Sequence, residues 1–164
     1  MRRYLIGLCV FMVFGWTHAA LAWPARVVHV SDGDTVHVEP IKGGKRIKVR
    51  LYGVDCPESR QPYGQAATGF VSDLALFKIV DVQPYDTDRY GRTVAVLAIG
   101  ESTAQDALLD AGLAWVYTRY CKIPQCAAWK DKEKAAARAR RGLWRDLDGA
   151  SKPVAPWTWR SRGR

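Results

Sequence analysis

The chain has 164 residues, a formal net charge of +9 and four cysteines. That length suits one domain around one core, and the basic excess favours an anionic partner such as nucleic acid, lipid headgroups or a polyphosphate. The cysteines form no pair of Cys-x-x-Cys units, which argues against a zinc framework.

Met1 to Ala22 reads as a leader. Arg2 and Arg3 open it, Tyr4 to Trp16 is apolar, and Ala20-Leu21-Ala22 is a small-x-small cleavage site. Cleavage after Ala22 removes both arginines and no acid, so +9 falls to +7. Roughly 140 residues then remain, enough for one domain. An uncleaved membrane anchor is the alternative. The expected product is exported, periplasmic or secreted, with no stable membrane association.

Ala25 to Val30 reads as a strand, and Asp32-Gly33 as a hairpin turn. Thr35 to Glu39 alternates, with Val36 and Val38 on one face, and period two puts Asp34 on that apolar face. A carboxylate there needs a cation or donors. After the Lys42-Gly43-Gly44-Lys45 turn, Arg46 to Tyr52 alternates again. Ile47, Val49 and Leu51 face the core, which assigns Arg50 to the solvated face. The stretch from Arg50 to Glu58 ends this strand and turns sharply. Pro57 separates Asp55 from Glu58, so the two acids cannot share one regular element.

Pro62 to Leu76 has helical spacing through Ala67, Phe70, Val71 and Leu74. A strand over Lys78 to Val82, a polar loop over Asp86 to Gly91 and a strand over Arg92 to Ile99 follow. Thr103 to Ala111 reads as a short helix that Gly112 ends, and Ala127 to Arg141 as a charged helix that Gly142 ends. The domain is expected over residues 23–147. Residues 148–164 are expected as a basic, mobile tail. There Trp157 and Trp159 alternate with Arg160, Arg162 and Arg164, and could stack on bases and phosphates or dock on the domain.

Cys121 and Cys126 flank a short loop and can pair in an oxidising compartment, or stay as two free thiols. Cys56 is then odd. No histidine partner is evident for it, since His29 and His37 lie on strands without diagnostic spacing. It reads as a small, buried side chain. Five strands with about three helices give an α+β, OB-type barrel.

The motifs Asp32-Gly33-Asp34-Thr35, Arg50-Leu51 and Val54-Asp55-Cys56-Pro57-Glu58 are joined by Tyr63-Gly64, Asp88-Arg89-Tyr90-Gly91-Arg92 and Gly112-Leu113-Ala114. In this order, over roughly Val27 to Trp144, the chain resembles the staphylococcal nuclease family. The resemblance implies a calcium-dependent, sugar-nonspecific phosphodiesterase acting on DNA and RNA. Asp34 and Asp55 would be carboxylate ligands of Ca2+, and the backbone carbonyl of Cys56 a further ligand. The best-known member has threonine at that position, and its loop after the position of Glu58 is longer. Glu58 would be the general base or position the water, while Arg50 and Arg92 would bind the scissile phosphate. Tyr117 and Tyr120 resemble aromatic residues of the family's nucleotide pocket. Departure of the 5′ oxygen would leave 3′-phosphate products. A monomer is expected.

The residue chemistry supports these roles independently. Two guanidiniums offer paired N–H donors to a phosphorane, and a hard cation relieves the repulsion among Asp34, Asp55 and Glu58 at one ion-sized spot. A catalytically inactive OB module that binds nucleic acid or protein is the alternative from a different class. A metal-dependent phosphodiesterase for small nucleotides is a third reading.

Overall fold

The structure, a computed structural model, describes residues 21–147 and 152–162. All but the last two residues of the expected leader lie outside the described residues. β1 (Trp23–Asp32) starts at the residue after Ala22.

β1 alternates as its sequence demands. Ala25 and Val27 are buried, Arg26 and His29 exposed, and a bulge between Val27 and His29 resets the register. Asp32 pairs with Thr35, so Gly33 and Asp34 form the tip of the hairpin to β2 (Thr35–Pro40). Glycine at position 33 is a packing requirement. A Cβ there would lie 2.7 Å from the Ala67 Cβ and 2.8 Å from the Cys56 Cβ. The tip therefore presses directly on α1 (Gly64–Ala75) and on the turn that carries Cys56.

β2 pairs antiparallel with β3 (Ile47–Leu51), and β1 with β5 (Ile79–Thr87). β5 pairs with β6 (Thr93–Ile99), and a parallel pairing of β6 with β3 closes the ring. The order β3-β2-β1-β5-β6 with that closure is a five-stranded OB-type barrel, and with four α-helices among the described residues the fold is α+β. β7 (Ser102–Thr103) extends the β6 edge, and β4 (Val54–Asp55) pairs with β8 (Trp115–Val116).

Valines and leucines of the strands fill the barrel, among them Val36, Val38, Val49, Leu51 and Leu97. α2 (Ala104–Asp110) is capped by Thr103, whose hydroxyl accepts from the Asp106 N–H at 3.0 Å. Fully buried Gln105 stitches α2 to the barrel. Its side chain donates to the Ala95 carbonyl at 3.0 Å and accepts from the Leu97 N–H at 3.3 Å. α3 (Gln125–Arg138) packs on α2 and contributes Trp129 to the core.

Most boundaries shift by one or two residues, and three differences are larger. β5 runs on to Thr87, because pairing with β6 continues past the bulge at Pro84 to Asp86. α3 ends at Arg138, with Arg140 in the left-handed region at φ 51°, three residues before the expected end at Arg141. Part of the tail expected to be mobile over residues 148–164 is regular: α4 (Pro156–Arg162) is a helix docked on the domain, the alternative the tryptophans left open. Cys121 and Cys126 are disulfide-bonded, and Cys56 is free and buried.

Candidate active site

Asp34, Arg50 and Asp55 form the centre. The hairpin tip supplies Asp34, Arg50 lies opposite Thr35 in the ladder, and the turn at Gly53 (φ 71°) returns the chain so that β4 delivers Asp55. Arg50 Nη1 meets Asp34 Oδ1 at 2.8 Å, and Nη2 meets Asp55 Oδ1 at 2.8 Å. Asp34 and Asp55 are 6% and 1% exposed. Asp34 also accepts from the Thr35 hydroxyl at 3.1 Å and the Cys56 N–H at 2.8 Å.

Strand alternation assigned Arg50 to solvent, and the structure corrects this. Its side chain is only 14% exposed, because the Gly53 turn folds Asp55 back against that face. Burial works against the charge of Arg50, but Asp34 and Asp55 outweigh it and raise its pKa. Burial pushes the Asp34 carboxyl up to about 7, against the pull of Arg50. Asp32 and Asp55 add to the rise, and the Cys56 N–H opposes it. Burial, then the Asp34 charge, also push the Cys56 thiol well above its ordinary value, which leaves it a neutral, packed group.

Glu58 stands at the rim, its side chain 41% exposed. Its N–H donates to Gln61 Oε1 at 3.2 Å and its carbonyl accepts the Gln61 N–H at 2.8 Å. Arg92 precedes β6 and is held by Asp88. Its Nε meets Asp88 Oδ2 at 2.6 Å, and its backbone N–H donates to Oδ1 at 3.0 Å. Burial would raise the Asp88 pKa, but these bonds from Arg92, with one from the Tyr90 N–H, lower it. Among the described residues Arg92 has no ion pair with Asp34, Asp55 or Glu58.

The expectation of one ion-sized spot shared by three carboxylates is not met. Among the described residues, no three Asp, Glu, His or Cys side chains converge to hold a metal ion. Guanidiniums separate them instead: Arg50 lies between Asp34 and Asp55, and Arg160 of α4 lies between Asp55 and Glu58. Arg160 Nη2 meets Asp55 Oδ2 at 2.7 Å, and Nη1 meets Glu58 Oε1 at 2.6 Å. Burial opposes the Arg160 charge, and the bonds to Asp55 and Glu58 override it and raise its pKa. Sequence reasoning left docking of the tail open but did not give Arg160 these partners. The one signal was the arginine and tryptophan alternation of the tail.

Tyr117 lies beside the Gly53 turn, its N–H donating to the Gly53 carbonyl at 2.8 Å. Its ring meets Tyr120 edge-on at 4.9 Å and stacks on Trp157 at 4.9 Å, 10° from parallel. Tyr120 is exposed.

The donor chemistry fits a hard divalent cation. Asp34 at the hairpin tip and Asp55 on β4, joined through Arg50, offer hard carboxylate oxygens, and Asp55 Oδ2 already holds a cationic group, the Arg160 guanidinium.

Comparison with known proteins bears on the family. A family profile described as staphylococcal nuclease homologue matches residues 48–146. An uncharacterized endonuclease of Escherichia coli O157:H7 is 37% identical over 163 residues, 99% of each chain. A micrococcal nuclease of Shigella flexneri is 36% identical over 144 residues, covering 82% of this chain and 79% of that one. A probable staphylococcal-like nuclease of Oryza sativa subsp. japonica is 40% identical over 116 residues, 71% of this chain and 33% of that longer one. On the barrel, the Asp34–Arg50–Asp55 centre and these similarities together, the chain belongs to the staphylococcal nuclease family.

Proposed function

We propose that this chain is an exported, calcium-dependent, sugar-nonspecific nuclease that cleaves DNA and RNA by water attack with the 5′ oxygen leaving, giving 3′-phosphate ends. Family membership carries the coarser statement: the chain is a nucleic-acid phosphodiester hydrolase. The observation that carries the finer one is the fork of Arg50 across Asp34 and Asp55, one turn away from Glu58.

Asp34, Asp55 and the Cys56 carbonyl are the groups we assign to the ion, and cysteine leaves that carbonyl available. When bound, the ion adds positive charge beside the phosphate and orients a water. Arg50 is held in orientation by two carboxylates at 2.8 Å each, yet a guanidinium has five N–H donors, so it retains donors for a phosphate oxygen. Asp88 holds Arg92 by two bonds and leaves its Nη groups to the second role. Donors set before the reaction stabilise charge as it develops, and losing one costs about 2.7–4 kcal/mol of barrier. Glu58 is exposed enough to receive a proton from water. Tyr117 and Tyr120 offer ring faces for a base.

The predicted leader and the Cys121–Cys126 disulfide support export, and no helix among the described residues is long and apolar enough to cross a membrane. We assign the working form as a monomer. The test is incubation of the metal-stripped protein with single-stranded DNA and with RNA, with calcium or with a chelator, followed by end-group analysis. Calcium-dependent 3′-phosphate ends on both polymers are expected. Binding without cleavage would favour the inactive OB module.

A further inference from the structure

The C-terminal segment makes three separate contacts with the site. Gln61, buried beside the Glu58 turn, donates from Nε2 to the Val154 carbonyl while its Oε1 holds the Glu58 N–H. Trp157 lies flat on Tyr117. Arg160 forks onto Asp55 Oδ2 at 2.7 Å and Glu58 Oε1 at 2.6 Å, and its Nη1 also reaches Asp55 Oδ1 at 3.3 Å. The segment is packed as well as tethered. Pro156 is buried, and Ala155 and Trp157 pack on the cluster of Trp115, Leu143 and Trp144.

These are the groups the proposed reaction needs free. Arg160 takes the lone-pair direction on Asp55 Oδ2 and on Glu58 Oε1 that a cation or a reacting water would use, and a nucleobase cannot lie on the face of Tyr117 that Trp157 covers. Arg160 presents a cation to the two acids, and Trp157 presents an aromatic plane where a base would stack.

We propose that residues 152–162 are an intramolecular plug, in which Arg160 and Trp157 stand in for cation and nucleobase and must withdraw before the site can be filled. The proposal rests on the reading that Asp55 binds a divalent ion and Glu58 works on water. A plug closed in 90–99% of molecules weakens the apparent affinity of whatever displaces it by about ten- to a hundredfold. Entry of the ion and withdrawal of the segment are then one coupled equilibrium.

The experiment uses the full chain, stripped of metal and without nucleic acid. Calcium is titrated by calorimetry into the wild type, Arg160→Gln and Trp157→Ala, and amide hydrogen exchange of residues 156–162 is followed with and without calcium. Arg160→Gln removes a charge and could tighten calcium binding by electrostatics alone. Trp157→Ala keeps every charge and isolates the plug. The expected result is a calcium Kd lowered about tenfold or more by Arg160→Gln and several-fold by Trp157→Ala, with protection of 156–162 in the apo wild type that calcium abolishes. The proposal is overturned if all three proteins bind calcium with one Kd. It is equally overturned if Trp157→Ala has no effect on Kd, or if calcium leaves the exchange of 156–162 unchanged. Calcium binding by none of the three would overturn the metal reading itself and, with it, the competition proposed here.

Discussion

The backbone N–H of Cys56 donates to Asp34 Oδ2 at 2.8 Å, and this bond ties the β1–β2 hairpin to the turn that carries Asp55 and Glu58. Two segments far apart in sequence are thereby held as one wall, and Arg50 spans it.

Removing Arg50 leaves Asp34 buried without a cation and Asp55 with Arg160 alone. Arg50→Ala is expected to cost about 3–5 kcal/mol of stability, and calcium should restore part of the lost Tm in a thermal melt. Arg50→Lys keeps a charge but not the fork, so it should fold and cleave about a hundredfold more slowly.

Glu58 is half-exposed and sits on a turn, so its carboxylate does little for the fold. Glu58→Gln is expected to lower single-turnover cleavage of single-stranded DNA by about 10²–10⁴. The melting temperature should stay within a degree or two of the wild type.

Asp88 orients Arg92 through two bonds and so acts as a positioning residue in the proposed reaction. Asp88→Asn should lower kcat by about tenfold while KM changes little, with Arg92→Ala losing more. The Asp88 pKa is depressed below its ordinary 3.8. The stability it adds is therefore present above pH 4 and lost as the pH falls through the depressed value. Between pH 5 and 8 the pH–rate profile of Asp88→Asn should run parallel to that of the wild type.

Gly33 has no room for a side chain. A methyl group at position 33 meets the Cβ atoms of Ala67 and Cys56 at 2.7 and 2.8 Å, both fixed close to backbone. Gly33→Ala should cost about 1–3 kcal/mol in denaturant melts and also weaken calcium binding, because the hairpin tip that carries Asp34 must back away.

Much of this was legible in the sequence for physical reasons. Alternation over Thr35 to Glu39 and Arg46 to Tyr52 located two of the barrel strands and marked Asp34 as a carboxylate out of solvent that needs a cation or donors, and it is buried with Arg50 and the Cys56 N–H as partners. Thr103 and Gly112 bounded α2 by local cap chemistry. What escaped depends on distant segments. Period two says nothing of a turn at Gly53 that folds Asp55 over Arg50 and takes it out of solvent. Gln105 has no local mark that it will bridge Ala95 and Leu97 inside the protein. Arg160 reaches Asp55 and Glu58 from more than a hundred residues away, and only the folded surface of Tyr117 and Trp115 gives its helix a seat.

In the proposed reaction Glu58 and Arg92 act on one phosphate, although Arg92 is bonded to Asp88. A double-mutant cycle of Glu58→Gln and Arg92→Ala, read as single-turnover cleavage of single-stranded DNA in saturating calcium, tests it most directly. Groups that serve one transition state are strongly non-additive, so the double variant should be slower than the worse single variant by far less than the second factor. Two losses that simply multiply would put the residues at independent tasks and contradict the account.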